Sequence, residues 1–467
     1  MGVFLSARAN EMVHGGLIVV ILPALPSEQY YKIGYKLFTF LESSLIDMVN
    51  EGILEESLVD SFNLPLYFPS DEDMTKVVEK NGCFSIERME MTCFQSTIDA
   101  KSHIRHHRAV LEKVFNKHFG SKITDEMFER SLANTDELSA WLETEYSKTT
   151  RQLFMRNVAD NAKLMVREAI IENLDIQTKT FVIVDMGCSV GPNTFFAMQN
   201  VVQAIKHKYH STCSQIEFHV FFNDHVTNDF NVLFESLFSD HQKTYFAAAI
   251  PGSFYGRLFP SRSIHVAYSC YALQWLSRVP KGLIDKKNKG RIHYDGASID
   301  VWNAYVDQFE KDMEVFLSAR ANEMVHGGLI VLVLPSIPKG TQFLESTLID
   351  LVNEGILEES LVDSFNLPLY FPSDEDMTKV VEKNGCFSIE KLEITCLQCN
   401  IDAKSFIIHI RAGFEGMFTK HFGSKITYEI FERTLGKIEE IEAWLEAEYY
   451  KTTRQLFMVL KCKKLIL

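Results

Sequence analysis

The segment Phe4–Pro23, FLSARANEMVHGGLIVVILP, returns as Phe316–Pro335, FLSARANEMVHGGLIVLVLP, at an offset of 312 residues. The correspondence resumes at Leu41/Leu344 and runs to Met155/Met458 at an offset of 303, leaving nine additional residues in the first copy. Between the copies lies one unrepeated block, roughly 156–313. Two distant copies do not make a solenoid, which needs at least three short repeats to bury a continuous core. The pattern predicts one α/β body preceded by a partial duplicate of its own C-terminal half.

The unrepeated block alternates short apolar runs with helical periodicity. Phe181–Val184 is β-branched and apolar on all sides, as a strand covered by helices on both faces requires. The same reasoning predicts strands at Ile216–Phe222, Tyr245–Ala249, Ile264–Tyr268, Leu329–Leu334, Ile389–Thr395 and Leu456–Leu460. A mostly parallel sheet with helices outside is the natural packing. The first copy repeats the last three strand segments and the helical stretch between them. TQFLESTLIDLVNEGILEESLVDSF spaces apolar residues as a one-faced helical cap does. In PSDEDMTKVVEK, Ser373 is placed to cap a helix and the acids suit its N-terminal dipole. The expected division is 1–155 (partial duplicate of core and cap), 156–335 (core with the cofactor turn), 336–385 (cap insert) and 386–467 (return to the core, with further cap helices).

Charge and cysteines narrow the partners. With 47 Lys plus Arg against 62 Asp plus Glu, the net charge of −15 disfavours a nucleic acid, and no basic stripe offsets it. Cys396 and Cys399 form a lone CxxC spacing, weak support for zinc or redox chemistry; reduced structural thiols fit better. No apolar run reaches the length of a membrane span, and the N-terminus does not read as a secretory signal, so a cytoplasmic protein is expected.

The turn DMGCSVGPNT follows the first strand, and in open α/β sheets ligands bind beyond such strand ends. Gly187 lets backbone approach a ligand closely, yet the spacing is neither GxGxxG nor a P-loop, which disfavours a phosphate cradle. Asp224 ends the second strand in FFND, where a carboxylate commonly accepts two vicinal ribose hydroxyls. A phosphate-free nucleoside fits this pair; the bland alternative is that Asp185 and Asp224 only cap turns.

VDMGCSVGPNT, FFNDHVTNDFN, PGSFYGRLFPSRSIHVAYSCYALQWLSRVP, NKGRIHY, DSFNLPLYFPS and HFG together resemble the plant SABATH methyltransferases. The resemblance spans 156–458. It implies a Rossmann-like core of seven strands with a helical cap, S-adenosylmethionine as methyl donor, small carboxylic acids or xanthine nitrogens as acceptors, and homodimers. By motif it implies donor contacts at Asp185, Gly187, Asn193, Asp224, Ser253 and Phe254, although His225 stands where an apolar residue is usual. Tyr271 and Trp275 resemble the acceptor-lining aromatics; four apart, they would share the face of a helix. A magnesium site is implied at Asn288, Asp363, Asn366 and the Phe365 carbonyl, a weak all-protein set for a hard cation.

A carboxylate acceptor is already ionised near neutral pH, so no catalytic base is expected and the residues named are positioning ones. One departure bears on activity. The family's N-terminal motif S-Y-x-x-N-S-x-x-Q is absent before RNVADNAKL, and Met155 stands where its Gln donates to the acceptor. The expected function is therefore methylation of a small carboxylic acid, weakened by that loss. The competing readings are a noncatalytic, fusion-derived chain and a heterocycle N-methyltransferase.

Overall fold

The computed structural model describes residues 1–22, 28–89, 100–133, 158, 161–191, 193–209, 216–238, 244–283, 288–336, 340–396 and 401–463. Two compact units divide the chain, Met1–Thr149 and Thr150–Leu467.

The second unit is built on a seven-stranded sheet in the order β3-β2-β1-β4-β5-β7-β6. Its strands are β1 (Thr180–Met186), β2 (Glu217–Asp224), β3 (Phe246–Pro251), β4 (Ile264–Cys270), β5 (Met324–Pro335), β6 (Phe387–Cys396) and β7 (Arg454–Cys462). All seven predicted strands are present, each within a residue or a few of its predicted bounds. β1 to β5 pair in parallel, whereas β7 runs antiparallel between β5 and β6. It is the second copy of the repeat that completes the sheet.

Alternation places side chains on two faces. Ile183, Val220, Val266, Leu329 and Val331 join one apolar cluster; Val184, Met186, Ala267, Ile330 and Leu332 join the other. His265 interrupts the β4–β5 register, and its Nδ1 accepts the Val182 amide at 3.0 Å, so it serves the sheet. Helices cover both faces, as a buried parallel sheet requires.

The first unit contains helices α1 (Gly2–Glu11), α2 (Glu28–Asn50), α3 (Glu56–Asp60), α4 (Asp71–Asn81), α5 (Ala100–Phe119) and α6 (Ser121–Ala133), and no strand among its described residues. This corrects the expectation of a duplicated fifth strand: Leu17–Leu22 forms no ladder, since no partner strand is described in its own unit. The duplicate of the seventh strand lies outside the described residues, as does Met155; of the duplicate of the sixth, 86–92, residues 86–89 are described and form no strand, which corrects that expectation there, and 90–92 lie outside the described residues.

In the second unit, 161–173 forms α7, followed by α8 (Asn193–Tyr209), α9 (Phe230–Phe238) and the long α10 (Ile299–Glu323). The cap consists of α11 (Thr341–Asn353), α12 (Glu359–Ser364) and α13 (Asp374–Asn384), then α14 (Ala403–Phe422), α15 (Ser424–Leu435) and α16 (Ile438–Trp444) beyond β6. Ser373 caps α13 in a reciprocal capping box with Asp376. No helix among the described residues is long and apolar enough to cross a membrane.

Candidate functional site

The carboxyl tips of β1 and β2 meet at one end of the sheet. Asp185 is buried and accepts a hydrogen bond from Thr194 Oγ1, one residue after Asn193 in the first turn of α8. Burial, together with the nearby charge of Asp224 and against the Thr194 hydrogen bond, pushes the Asp185 carboxyl up to about 7. Asp224 accepts the Ser189 amide on Oδ2 and the His225 amide on Oδ1, both at 2.7 Å. The two acids therefore share one neighbourhood, bridged by the turn between β1 and α8.

Gly187 shapes that turn. Its φ of +87° lies in the left-handed region, and a Cβ there would stand 2.3 Å from the Ala272 Cβ. Its amide and that of Cys188 both donate to the Asn223 carbonyl, at 2.9 and 3.1 Å. The Asn223 side chain donates in turn to the carbonyls of Ile250 and Gly252, at 2.7 and 2.9 Å. Three strand tips are thus stitched together by one asparagine.

The loop after β3 brings Ser253 and Phe254 to the same place. Phe254 Cε1 lies 3.8 Å from where a Gly187 Cβ would be, and Ser253 is exposed with its Oγ accepting the Tyr255 amide at 3.3 Å. Tyr255 is buried, and its hydroxyl donates to the Trp275 carbonyl at 2.6 Å. This hydrogen bond ties the predicted donor loop to the predicted acceptor segment.

The helical placement of Tyr271 and Trp275 is corrected by the structure: 271–276 forms turns, not a helix. Tyr271 has φ +53° and spends its amide on the Val333 carbonyl at 2.8 Å. Trp275 forms an isolated antiparallel bridge with Leu369, and the Tyr370 amide donates to the Gln274 carbonyl at 2.9 Å. Long-range pairing of the backbone overrides helix formation here. The Trp275 ring lies edge-on to Phe414 of α14, with centroids 6.0 Å apart. Gln274 is buried and donates to the Tyr271 carbonyl at 2.8 Å, and its Oε1 is buried without a partner among the described residues.

The residues assigned to magnesium also come together, as a hydrogen-bonded clasp. Asn288 Nδ2 donates to Asn366 Oδ1 at 3.0 Å and to the His293 carbonyl at 2.9 Å. Asp363 Oδ1 accepts the Gly290 amide at 2.9 Å, and the Phe365 ring packs among Phe418, His421 and Phe422. Glu345 of α11 accepts the Ile292 amide at 3.0 Å. Among the described residues no group of three or more His, Cys, Asp or Glu side chains could hold a metal. With one carboxylate, and an amide oxygen already accepting from its neighbour, the set does not fit Mg²⁺ and instead joins 288–292 to the cap. Of the CxxC pair, Cys396 is a free thiol and Cys399 lies outside the described residues.

Sequence reasoning missed Thr194, Asn223, Tyr255, Gln274 and the buried polar residues of α10. Of these, only Arg320 and Glu323 lie in a segment the sequence marks, the repeated FLSARANE.

Two stretches of the chain, 1–155 and 143–463, match the model of the SAM dependent carboxyl methyltransferase family. Loganic acid O-methyltransferase from Catharanthus roseus is 44% identical over 344 residues, covering 68% of this chain and 92% of that protein. Farnesoic acid carboxyl-O-methyltransferase from Arabidopsis thaliana is 41% identical over 251 residues, 50% of this chain and 71% of that protein. Caffeine synthase 1 from Camellia crassicolumna is 32% identical over 352 residues, 68% of this chain and 94% of that protein. A solved structure of loganic acid methyltransferase with SAH superposes with a TM-score of 0.62 at 44% identity, covering 66% of this chain and 94% of that one.

Proposed function

The chain belongs to the SAM-dependent carboxyl methyltransferase family, and on that premise we propose how its own residues carry the reaction. It is an S-adenosylmethionine-dependent O-methyltransferase of small carboxylic acids. The observation that carries the assignment of roles is the meeting of Asp185 and Asp224 at the β1 and β2 tips, with Gly187 between them and Phe254 beside it. That donor set suits a phosphate-free nucleoside with a cationic tail.

The bound donor supplies an electrophilic methyl group on a sulfonium. Asp224 retains acceptor capacity on both oxygens for the ribose hydroxyls, and Asp185 faces the cationic end with Asn193 and Gly187 alongside. Ser253 and Phe254 line the adenine, a hydroxyl and an aromatic face suiting a flat ring with polar edges. Tyr271 and Trp275 hold the acceptor's apolar body beside the transferring methyl. An ionised carboxylate is its own nucleophile, so these residues align it and exclude water as charge is neutralised. Met155 offers a thioether where the family places an amide donor, which weakens the hold on the acceptor. The clasp of Asn288, Asp363 and Asn366 keeps the cap in place by hydrogen bonds, so a chelator should leave turnover unchanged. Residues 1–155 are read as a partial duplicate whose sequence carries no second donor turn. A cytoplasmic homodimer completes this reading.

Incubation with labelled S-adenosylmethionine and a panel of loganic acid, farnesoic acid and paraxanthine tests it. Label in a base-labile ester of an acid is the expected result. Label on paraxanthine would move the assignment to nitrogen, and no donor binding at all would overturn the site.

A further inference from the structure

The repeated motif FLSARANE closes α10 in its second copy, and there it carries a buried ion pair that meets the donor loop through that loop's backbone. Arg320 and Glu323 side chains are both 0% exposed, with Nη2 and Oε2 2.6 Å apart. Arg320 also donates to the Phe254 carbonyl at 2.8 Å and the Gly256 carbonyl at 2.9 Å, and its Nη1 lies 3.4 Å from Met186 Sδ. Glu323 Oε1 accepts the amides of Leu258 at 2.5 Å and Phe259 at 2.9 Å. Every side-chain polar contact of the pair outside itself therefore falls on the loop after β3 or on the tip of β1.

The other half of the same helix holds a different segment. Asp312 accepts the Ser277 amide at 2.8 Å and the Ser277 hydroxyl at 2.6 Å, while Gln308 donates to Asp312 at 2.9 Å. Ser277 closes the turn that carries Trp275. Gln308, Asp312, Phe316 and Arg320 follow one another at i+4, so they lie along one face of α10. Phe316, between the two polar pairs, stands edge-on to Phe254 with ring centroids 6.3 Å apart.

A buried ion pair adds little to stability over an apolar pair of similar volume, because desolvation offsets the attraction. What it supplies here is geometry. The planar guanidinium reaches two carbonyls two residues apart while its carboxylate partner gathers two amides further along the same loop, which a point-charge ammonium could not reproduce.

We propose that α10 is a positioning element with two separate grips: Arg320 and Glu323 set the Ser253–Phe259 loop, and Gln308 and Asp312 set the turn of Trp275. The proposal rests on the donor reading above, in which Ser253 and Phe254 face the adenine.

Calorimetric titration of the full-length chain with S-adenosylhomocysteine, alongside thermal melting of each variant, tests it. Arg320→Lys and Glu323→Gln should weaken binding about tenfold, as loss of charge-assisted hydrogen bonds does. Asp312→Asn, equally buried on the same helix, should stay within about twofold of wild type because it grips the other segment. A merely structural role would not produce that split. Equal weakening in all three variants, or none in any, overturns the inference. Glu323→Gln preserves shape and the Oε1 acceptor, so it provides the folded comparison if Arg320→Lys does not fold. Failure of the wild-type chain to bind S-adenosylhomocysteine would instead overturn the donor site itself.

Discussion

Nearly the same residues end differently in the two copies of the repeat. Leu329–Leu334 is buried strand, whereas its duplicate Leu17–Leu22 forms no strand, with Leu17 78% and Ile21 91% exposed. The Arg320–Glu323 pair is fully buried, while the duplicate pair Arg8–Glu11 lies at the surface. Further along, the copies agree. Phe62 meets Phe115 and Phe365 meets Phe418 at the same 4.8 Å between ring centroids. Arg130 pairs with Glu51 at 2.7 Å and Arg433 with Glu354 at 2.6 Å. The difference follows from where each segment finds its partners. Helices α2, α5 and α6 pack on one another within the copy, as α11, α14 and α15 do, so they form in both settings. A strand takes its hydrogen bonds from elsewhere: β5 needs β4 and β7, and the β4 sequence occurs once in the chain.

The largest expected break in this comparison is at the arginines. Arg320→Met strands the Glu323 carboxylate in the interior and should cost about 3–5 kcal/mol, whereas Arg8→Met removes an exposed pair and should cost less than about 1 kcal/mol. Urea denaturation of the two variants measures both. Equal losses would mean that burial does not separate the copies. Next comes the strand. Leu329→Ala should cost about 2–5 kcal/mol through the cavity it leaves, and Leu17→Ala should stay within about 0.5 kcal/mol. A destabilising Leu17→Ala would show that the first segment is packed in solution.

The seven strands were legible because each is a short apolar run bounded by turn residues, a signal contained in its own few residues. The donor turn was legible for a similar reason, since Asp185, Gly187 and Asp224 occupy fixed places at strand ends. The turn at Tyr271–Trp275 was not. Its i,i+4 aromatics carry a helical signal, but the amide of Tyr271 and the bridge at Trp275 are committed to Val333 and Leu369, residues distant in sequence. Arg320 and Glu323 were hidden differently. The letters alone do not say whether the pair is buried, and in the first copy the same letters form a surface pair. Burial of one copy and not the other is a property of the partners, which no local pattern contains.

The donor site has no duplicate, so its titration belongs to the second unit alone. Burial and then the charge of Asp224 raise the Asp185 carboxyl to about 7, so the folded state holds this proton more tightly than an unfolded chain. Stability of the ligand-free protein should therefore be favoured by protonation at low pH and decline as pH rises from the ordinary carboxylate range through about 7. A cationic donor prefers the ionised carboxylate, giving the opposite trend for binding. Affinity for S-adenosylmethionine should fall below pH 7, by up to about tenfold per pH unit. Titration calorimetry across pH 5.5–8 (about two units around the midpoint) checks this, and Asp185→Asn should flatten the profile. A profile unchanged by Asp185→Asn would assign the proton to another group.

The smallest effect sharpens the comparison from its other side. Ser70 caps α4 and Ser373 caps α13 with the same geometry, each Oγ accepting the amide of the Asp three residues on at 3.1 Å. The returning hydrogen bonds match as well, Ser70 to Asp73 at 3.0 Å and Ser373 to Asp376 at 2.9 Å. Yet the surroundings differ: Tyr67, which donates to Asp73, is 69% exposed, while its duplicate Tyr370 is 2% exposed. A cap acts on amides within its own first turn, so burial beyond that turn should matter little. Ser70→Ala and Ser373→Ala should then each cost about 1 kcal/mol, equal within the error of denaturant titration. If Ser373→Ala costs several times more, the capping box of the second copy depends on the core packed against it, and the helical segments are no more autonomous than the strand.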